Sequence, residues 1–216
     1  MYKNNLQDPK VINYLNSPIK RYDIINYLIK KYNFINYLEI GVFKGENIRM
    51  VKAIHKDGVD PGVEGYTPQE VNYPMTSNEF FNLIKGHDIK YDIVFIDGLH
   101  EYSQVKKDIE NSLNHLQSYG YIVLHDCNPV SYESQLSNRQ TIAWNGDVWK
   151  AFVEFKQNNP NFESGVVDTD FGVGWIKNKN SKLNPTPLIN MDYNYFDTNR
   201  KELLNLINWD EFKTNY

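Results

Sequence analysis

Apolar residues along this chain gather in short, dense runs separated by longer stretches of mixed polarity. The runs at 36–42 (Asn-Tyr-Leu-Glu-Ile-Gly-Val), 91–96 (Tyr-Asp-Ile-Val-Phe-Ile) and 121–124 (Tyr-Ile-Val-Leu) read as buried strands. Between the last two, Tyr102, Val105, Ile109, Leu113 and Leu116 recur on one face and predict an amphipathic helix. Ile24, Ile25, Leu28 and Ile29 do the same within a helix over 22–31, which follows a shorter one over 9–16. Further helices are expected over 46–55, over 78–85 with Ser77 as cap, over 148–157 with Asp147 as cap, and over 198–208. A second strand ends in Gly58-Val-Asp-Pro, and a closing strand pair, 162–167 and 172–176, is joined by Asp168-Thr169-Asp170. Residues 62–74 are turn-rich, and 177–187 read as a polar linker. Strands alternating with helices predict an α/β fold with a parallel sheet, helices on both faces and one antiparallel edge strand.

The run at 37–45, Tyr-Leu-Glu-Ile-Gly-Val-Phe-Lys-Gly, is the most informative. A strand that turns on glycine into a helix brings backbone N–H groups close to a ligand. In a doubly wound sheet such a turn lies where nucleotide-like cofactors bind. The spacing is Gly-x-x-x-Gly, with Glu39 before the first glycine, rather than the G-x-G-x-x-G that cradles a pyrophosphate. It suits a cofactor with no phosphate to hold. Four predicted strands end in this turn or in polar groups: Gly41, Asp60, Asp97 and His125-Asp126. Strand ends of one parallel sheet lie side by side, so these residues are expected at one rim. Asp60 is placed either to accept hydrogen bonds from ribose hydroxyls or to close a turn before Pro61.

Composition narrows the partners. The 216 residues are 41% hydrophobic and 23% charged, which suits one globular core rather than two full domains. A net charge of −4 argues against nucleic acid as a main partner. No apolar run approaches membrane-spanning length, and no signal core opens the sequence. The single cysteine, Cys127, excludes an intrachain disulfide and fits a reducing cytoplasm.

Residues 35–129 resemble class I S-adenosylmethionine-dependent methyltransferases, nearest to the branch of small-molecule and sugar O-methyltransferases. The resemblance is carried by Leu38-Glu-Ile-Gly-Val-Phe-Lys-Gly45, Gly58-Val-Asp60, Met75-Thr-Ser-Asn-Glu-Phe-Phe81, Ile93-Val-Phe-Ile-Asp-Gly-Leu-His-Glu-Tyr102 and Ile122-Val-Leu-His-Asp126. It implies a Rossmann-like fold with a doubly wound, mostly parallel seven-stranded sheet. It implies that Gly41 and Gly45 face the methionine part of the cofactor and that Glu39 positions its amino group. Asp60 would hold the ribose, Met75 and Thr76 would flank the adenine, and Phe43 and Lys44 could close over the methionine end. Asp97 would lie at the same site. Metal-dependent relatives bind a divalent ion at the ends of the fourth and fifth strands, so the resemblance nominates Asp97, Asp126 and Asn128 as ligands of an ion such as Mg²⁺. This chain departs from part of that group in flanking Asp126 with His125 and Cys127.

His100 and His125 offer a metal-free route, since either could take a hydroxyl proton near neutral pH. Each could equally be a hydrogen-bonded structural residue. His55, His87 and His115 read as solvated. The loop 129–145, with Tyr132, Glu133, Arg139 and Trp144, is a candidate acceptor pocket for a small molecule or glycan. The expected organisation is a helical lid over 1–33, an α/β domain over 34–180 and a C-terminal extension over 181–216 that packs on the core or on a second subunit. The lid either packs on the edge of the core or covers the cofactor. A nicotinamide-dependent oxidoreductase and a noncatalytic binding module on the same scaffold are the alternatives to a methyltransferase.

Overall fold

The structure is a computed structural model that describes residues 2–62, 66–179, 183 and 192–216. Seven strands form one sheet: β1 (Asn36–Ile40), β2 (His55–Val59), β3 (Tyr91–Ile96), β4 (Leu116–Leu124), β5 (Glu163–Val167), β6 (Val173–Lys177) and β7 (Leu206–Ile207). Their order is β2-β1-β3-β4-β6-β5-β7. β1 pairs in parallel with both β2 and β3, and β3 with β4. β6 runs antiparallel to β4 and to β5, and β5 is parallel to β7. The reversed strand expected from the sequence is therefore present, but it lies inside the sheet. β5 and the two-residue β7 lie outside it.

The strands read as continuous apolar runs because both faces are covered. Leu38, Ile40, Val94, Ile96, Ile122 and Leu124 point to one side. There they meet α4 (Ser77–Leu83), α5 (Tyr102–Asn114), α6 (Val148–Asn158) and α7 (Tyr193–Leu204) through Phe80, Ile109, Phe152 and Leu204. Tyr37, Ile93, Phe95, Tyr121 and Val123 point to the other side. There they meet α2 (Arg21–Tyr32), α3 (Glu46–Met50) and α8 (Trp209–Asn215) through Ile25, Leu28, Ile48 and Phe212. Val11 and Tyr14 of α1 (Pro9–Leu15) form a third cluster with Val130.

The elements differ from the sequence expectation in four places. The helix after the glycine turn stops at Met50 instead of 55. Val51 is extended (φ −73, ψ 133), and Val51 and Ala53 are buried while Lys52 and Ile54 are exposed, an alternation that belongs to extended chain. β4 begins at Leu116, and its register with β3 shifts between the Tyr91 and Ile93 pairings, so Gly120 lies within the strand instead of ending a unit. α4 is capped by Thr76, whose side chain accepts from the Glu79 backbone while Glu79 reaches back, rather than by Ser77. The C-terminal region holds α7, β7 and α8 where one helix over 198–208 was expected, because Asn205 turns left-handed (φ 47) and ends α7. Apart from Lys177 to Lys179 and Leu183, the linker expected over 177–187 lies outside the described residues.

From β1 the chain passes through α3 to β2 on one side, and then returns through α4 to β3 on the other. This reversal opens a crevice beyond the carboxyl ends of β1 and β3. Gly41 makes the crevice possible. Its φ is +87, and a Cβ there would lie 2.2 Å from the Asp97 carbonyl oxygen. Gly41→Ala is therefore expected to lose about 3 kcal/mol or more in urea unfolding. A loss below about 1 kcal/mol would show that the two strand ends are not in the contact described.

Candidate active site

The crevice encloses about 670 Å³, a size that suits a cofactor-like small molecule. Glu39, Gly41, Asp60, Thr76, Asp97, His100, His125 and Asp126 all line it, so strand ends distant in sequence converge. Three nominated residues lie apart from the lining. Gly45 forms the left-handed N-cap of α3 (φ 78), between Lys44 and Glu46, which do face the crevice. Met75 packs against the core beside α4. Asn128 is turned away: its amide donates to the Tyr14 hydroxyl (2.7 Å) and Asp168 (3.1 Å), and its oxygen accepts from Arg200. The trio Asp97, Asp126 and Asn128 is thus not assembled. The donor atoms that do converge, within 4.8 Å of one another, belong to Asp97, His100 and Asp126.

At the β1 end, Glu39 is buried and accepts from the Tyr37 hydroxyl (2.5 Å) and the Asn47 amide (2.8 Å). Burial dominates and pushes its carboxyl up to about 7. Asp60 accepts from the backbone N–H of Phe43 (2.8 Å) and of Gly62 (2.7 Å). It ties the glycine turn to the end of β2 and borders the crevice at the same time. Phe43, exposed at the lip, is held at φ 51.

At the β3 and β4 ends, His125 Nδ1 lies 2.9 Å from Asp126 and 3.4 Å from Asp97. Burial works against its charge, but the Asp126 and Asp97 carboxylates outweigh burial and hold the imidazole well above its ordinary range. Burial likewise opposes ionisation of Asp97, yet His125, His100 and Arg21 keep it well below the usual carboxylate range. His100 spans the two acids, with Nε2 3.4 Å from Asp97 and Nδ1 3.5 Å from Asp126, and its ring stacks on Trp144 at 5.0 Å. Asp126 is left-handed (φ 60), an unusual conformation for a non-glycine residue and one found where function constrains the backbone. Cys127 is buried outside the crevice lining, and burial pushes its thiol far up.

Of the loop over 129–145, Arg139 and Trp144 reach the crevice. Tyr132 packs edge-on to Tyr193, and Glu133 pairs with Lys3. Asn145 donates to Asp126 (2.5 Å), and a Cβ at Gly146 would lie 2.0 Å from the His100 carbonyl oxygen. Asp147 accepts from the Tyr102 backbone (2.6 Å), so its carboxylate caps α5 rather than α6. Among the other histidines, His55 and His87 are exposed, whereas His115 is buried, bonded to the Ile89 carbonyl and stacked on Phe81.

Two residues of the cluster were not anticipated. Arg21 extends from the start of α2 to within 3.0 Å of Asp170 and 3.2 Å of His125. A cation at a helix N-terminus is unfavourable, and that misplacement was the only available signal. Asp170 looked like an ordinary residue of a strand-connecting turn. Burial resists its charge, but the hydrogen bond and charge of His125, with Arg21, keep it well below the usual range.

Residues 38–127 match the family model of a methyltransferase domain, from β1 through the end of β4. Among curated proteins no sequence matches. An O-methyltransferase from Bacillus cereus, solved with S-adenosylhomocysteine, superposes with a TM-score of 0.51 at 13% identity, covering 77% of this chain and 84% of that one. The MycE methyltransferase of the mycinamycin biosynthetic pathway, solved with Mg and S-adenosylhomocysteine, gives 0.51 at 16% identity over 88% of this chain and 57% of that one. At these identities the likeness is one of fold. Among the described residues no helix is long and apolar enough to cross a membrane.

Glu39 holds its proton more tightly folded than unfolded. Its contribution to stability is therefore fully present below the ordinary carboxyl value of 4.5 and is lost as pH rises through about 7. Glu39→Gln keeps an oxygen for Tyr37 and Asn47 without the charge. It is expected to stabilise the ligand-free protein by on the order of 3 kcal/mol at pH 8 and by little at pH 4.5. Thermal melts that move equally at both pH values would contradict the assignment.

Proposed function

From a chain whose residues 38–127 match the family model of a methyltransferase domain, we propose an S-adenosylmethionine-dependent O-methyltransferase acting on a hydroxyl of a small polyhydroxylated acceptor such as a sugar. The observation that carries the reading is the convergence of the glycine turn, Asp60, Asp97, His100 and Asp126 on one crevice. The fit to the cofactor rests on Gly41, whose left-handed turn at the β1 end lines the crevice while packing closely on the Asp97 backbone, and on a crevice with carboxylates at both ends. When bound, S-adenosylmethionine supplies a sulfonium methyl group; the acceptor oxygen bonds to that carbon as the carbon–sulfur bond breaks, leaving S-adenosylhomocysteine.

This chain's residues would divide the work as follows. Ionised Glu39 would meet the cofactor's ammonium, which favours the carboxylate that burial disfavours. Gly41 and Gly45 would let the backbone of the turn approach the methionine part, with Phe43 at the lip. Asp60 already accepts from two backbone N–H groups, and its remaining lone pairs would take the ribose hydroxyls. Thr76, at the cap of α4, would border the adenine, with Met75 behind it. His100 would take the acceptor proton. It faces Asp97 and Asp126, which stabilise the imidazolium that forms. His125, held by Asp97 and Asp126, would orient that pair. Holding the oxygen in line with the methyl carbon would supply much of the rate. Trp144 and Arg139, beside His100, would form the acceptor side.

Mg²⁺, which the MycE structure carries, meets a different donor set here. A hard ion seeks several oxygens in near-octahedral array. Asn128 is engaged elsewhere, both Asp126 oxygens accept protein hydrogen bonds, and the third converging donor is an imidazole. That set does not fit Mg²⁺, and the transfer proposed here passes through no metal.

Calorimetry with S-adenosylhomocysteine should give one saturable site per chain. Folded protein that shows no binding at millimolar ligand would end this reading. With an acceptor in hand, His100→Ala is expected to lower kcat by about 10²–10⁴-fold while leaving S-adenosylhomocysteine affinity within about threefold. An unchanged kcat would reassign the base.

A further inference from the structure

The carboxylate pair Asp97 and Asp126 lies beside a permanent cation that belongs to the protein. Arg21 Nη1 is 3.0 Å from Asp170 and 3.2 Å from His125 Nε2, and Nε is 3.6 Å from Asp97. The backbone N–H of Arg21 also donates to Asp170, at 3.1 Å, so one carboxylate fixes both ends of the residue. The anchor is itself built in. Ser17 meets Thr169 at 2.5 Å, and Thr169 donates to the Ile19 carbonyl at 2.6 Å, seating the α1–α2 connection on the β5–β6 turn.

Two nitrogens at this cluster are buried and without a hydrogen-bond partner: Arg21 Nε and His100 Nδ1. A buried unpaired polar group is costly; Nε lies 3.6 Å from Asp97 and Nδ1 3.5 Å from Asp126. Both Asp126 oxygens are already engaged, one accepting from His125 (2.9 Å) and the other from Asn145 (2.5 Å). An ion at the pair would share these oxygens with their present donors and lie against a guanidinium, which cannot shed its charge. The donor atoms of Asp97, His100 and Asp126 are nonetheless close enough to ligate one. Arg21 is what sets this site apart from a vacant ion site.

We propose that Arg21, anchored by Asp170, is the resident cation of the Asp97–Asp126 pair, taking the place a divalent metal would fill and offering its Nε–H to the acceptor oxygen whose proton His100 Nδ1 takes. The proposal rests on the methyltransferase reading for the acceptor alone; the cation's place is testable without turnover. Mn²⁺ binding to the full chain, followed by loss of the free-ion electron paramagnetic resonance signal, provides the test. Wild type is expected to bind no Mn²⁺ up to about 1 mM. Arg21→Ala is expected to bind one ion per chain at least about tenfold more tightly than wild type, an effect that Asp97→Asn in the same chain abolishes. Arg21→Lys, which keeps the charge, should behave as wild type, and a thermal melt checks that each variant is folded. Asp170→Asn, which loosens the anchor without removing the guanidinium, should show a smaller gain and serves if Arg21→Ala does not fold.

Tight Mn²⁺ binding by wild type, or folded Arg21→Ala or Asp170→Asn protein that binds no better than wild type, would overturn the proposal. Calorimetry with S-adenosylhomocysteine on the same wild-type sample separates the two ideas. Cofactor binding together with tight Mn²⁺ binding defeats only the resident cation. Absence of cofactor binding defeats the methyltransferase reading, whatever Mn²⁺ does.

Discussion

Burying charge at the end of a sheet is the constraint around which this molecule is organised. Asp97, Asp126 and Asp170 are withdrawn from water at one rim, and an uncompensated buried carboxylate is far too costly to persist. Compensation comes from three directions. His125 sits among all three acids, His100 spans two of them, and Arg21 arrives from a helix that precedes the sheet in sequence. The N-terminal helices are thus more than a cover for the sheet edge. One face of α2 is apolar and packs on the core, while its first residue completes the electrostatics of the cleft.

A second polar network holds the same region from behind. Tyr14 donates to Asp168 at 2.6 Å, Asn128 bridges both, and Arg200 of α7 closes the group by donating to Asn128 and to the Pro129 carbonyl (2.8 Å). Asn128 was nominated as a ligand by the resemblance to metal-dependent relatives. Its role is instead to join α1, the β5–β6 turn and α7 beneath the cleft. Residues on successive positions after a strand face different ways, and here Asp126 turns left-handed, which sends Asn128 behind the site.

Much of the fold was legible because its signals are local. The apolar runs of β1, β3 and β4 and the amphipathic face of α5 depend on neighbouring residues only. The rim residues were legible for the same reason: a polar group directly after a buried strand has one place to go. What could not be read depends on contacts far apart in sequence. The end of α3 at Met50 follows from Val51 and Ala53 packing against the sheet. The interior position of β6 is decided by pairing with β4, about fifty residues upstream. Arg21 and Asp170, 149 positions apart, carry no motif and become partners only through the packing of α2 and the turn after β5.

The two extremities of the described chain also clasp each other. Tyr27 of α2 packs edge-on to Trp209 at 5.4 Å and donates to the Lys213 carbonyl, and Tyr32 donates to the Tyr216 carbonyl. Helix α2 is therefore gripped at one end by α8 and inserted into the cleft at the other. It acts as a strut held from both sides, by the aromatic grip of Trp209 and Phe212 on Tyr27 and by Asp170 on the guanidinium at the far tip. The aromatic tail thus shares with Asp170 the seating of the helix that carries Arg21, although no described residue of α8 lines the cleft.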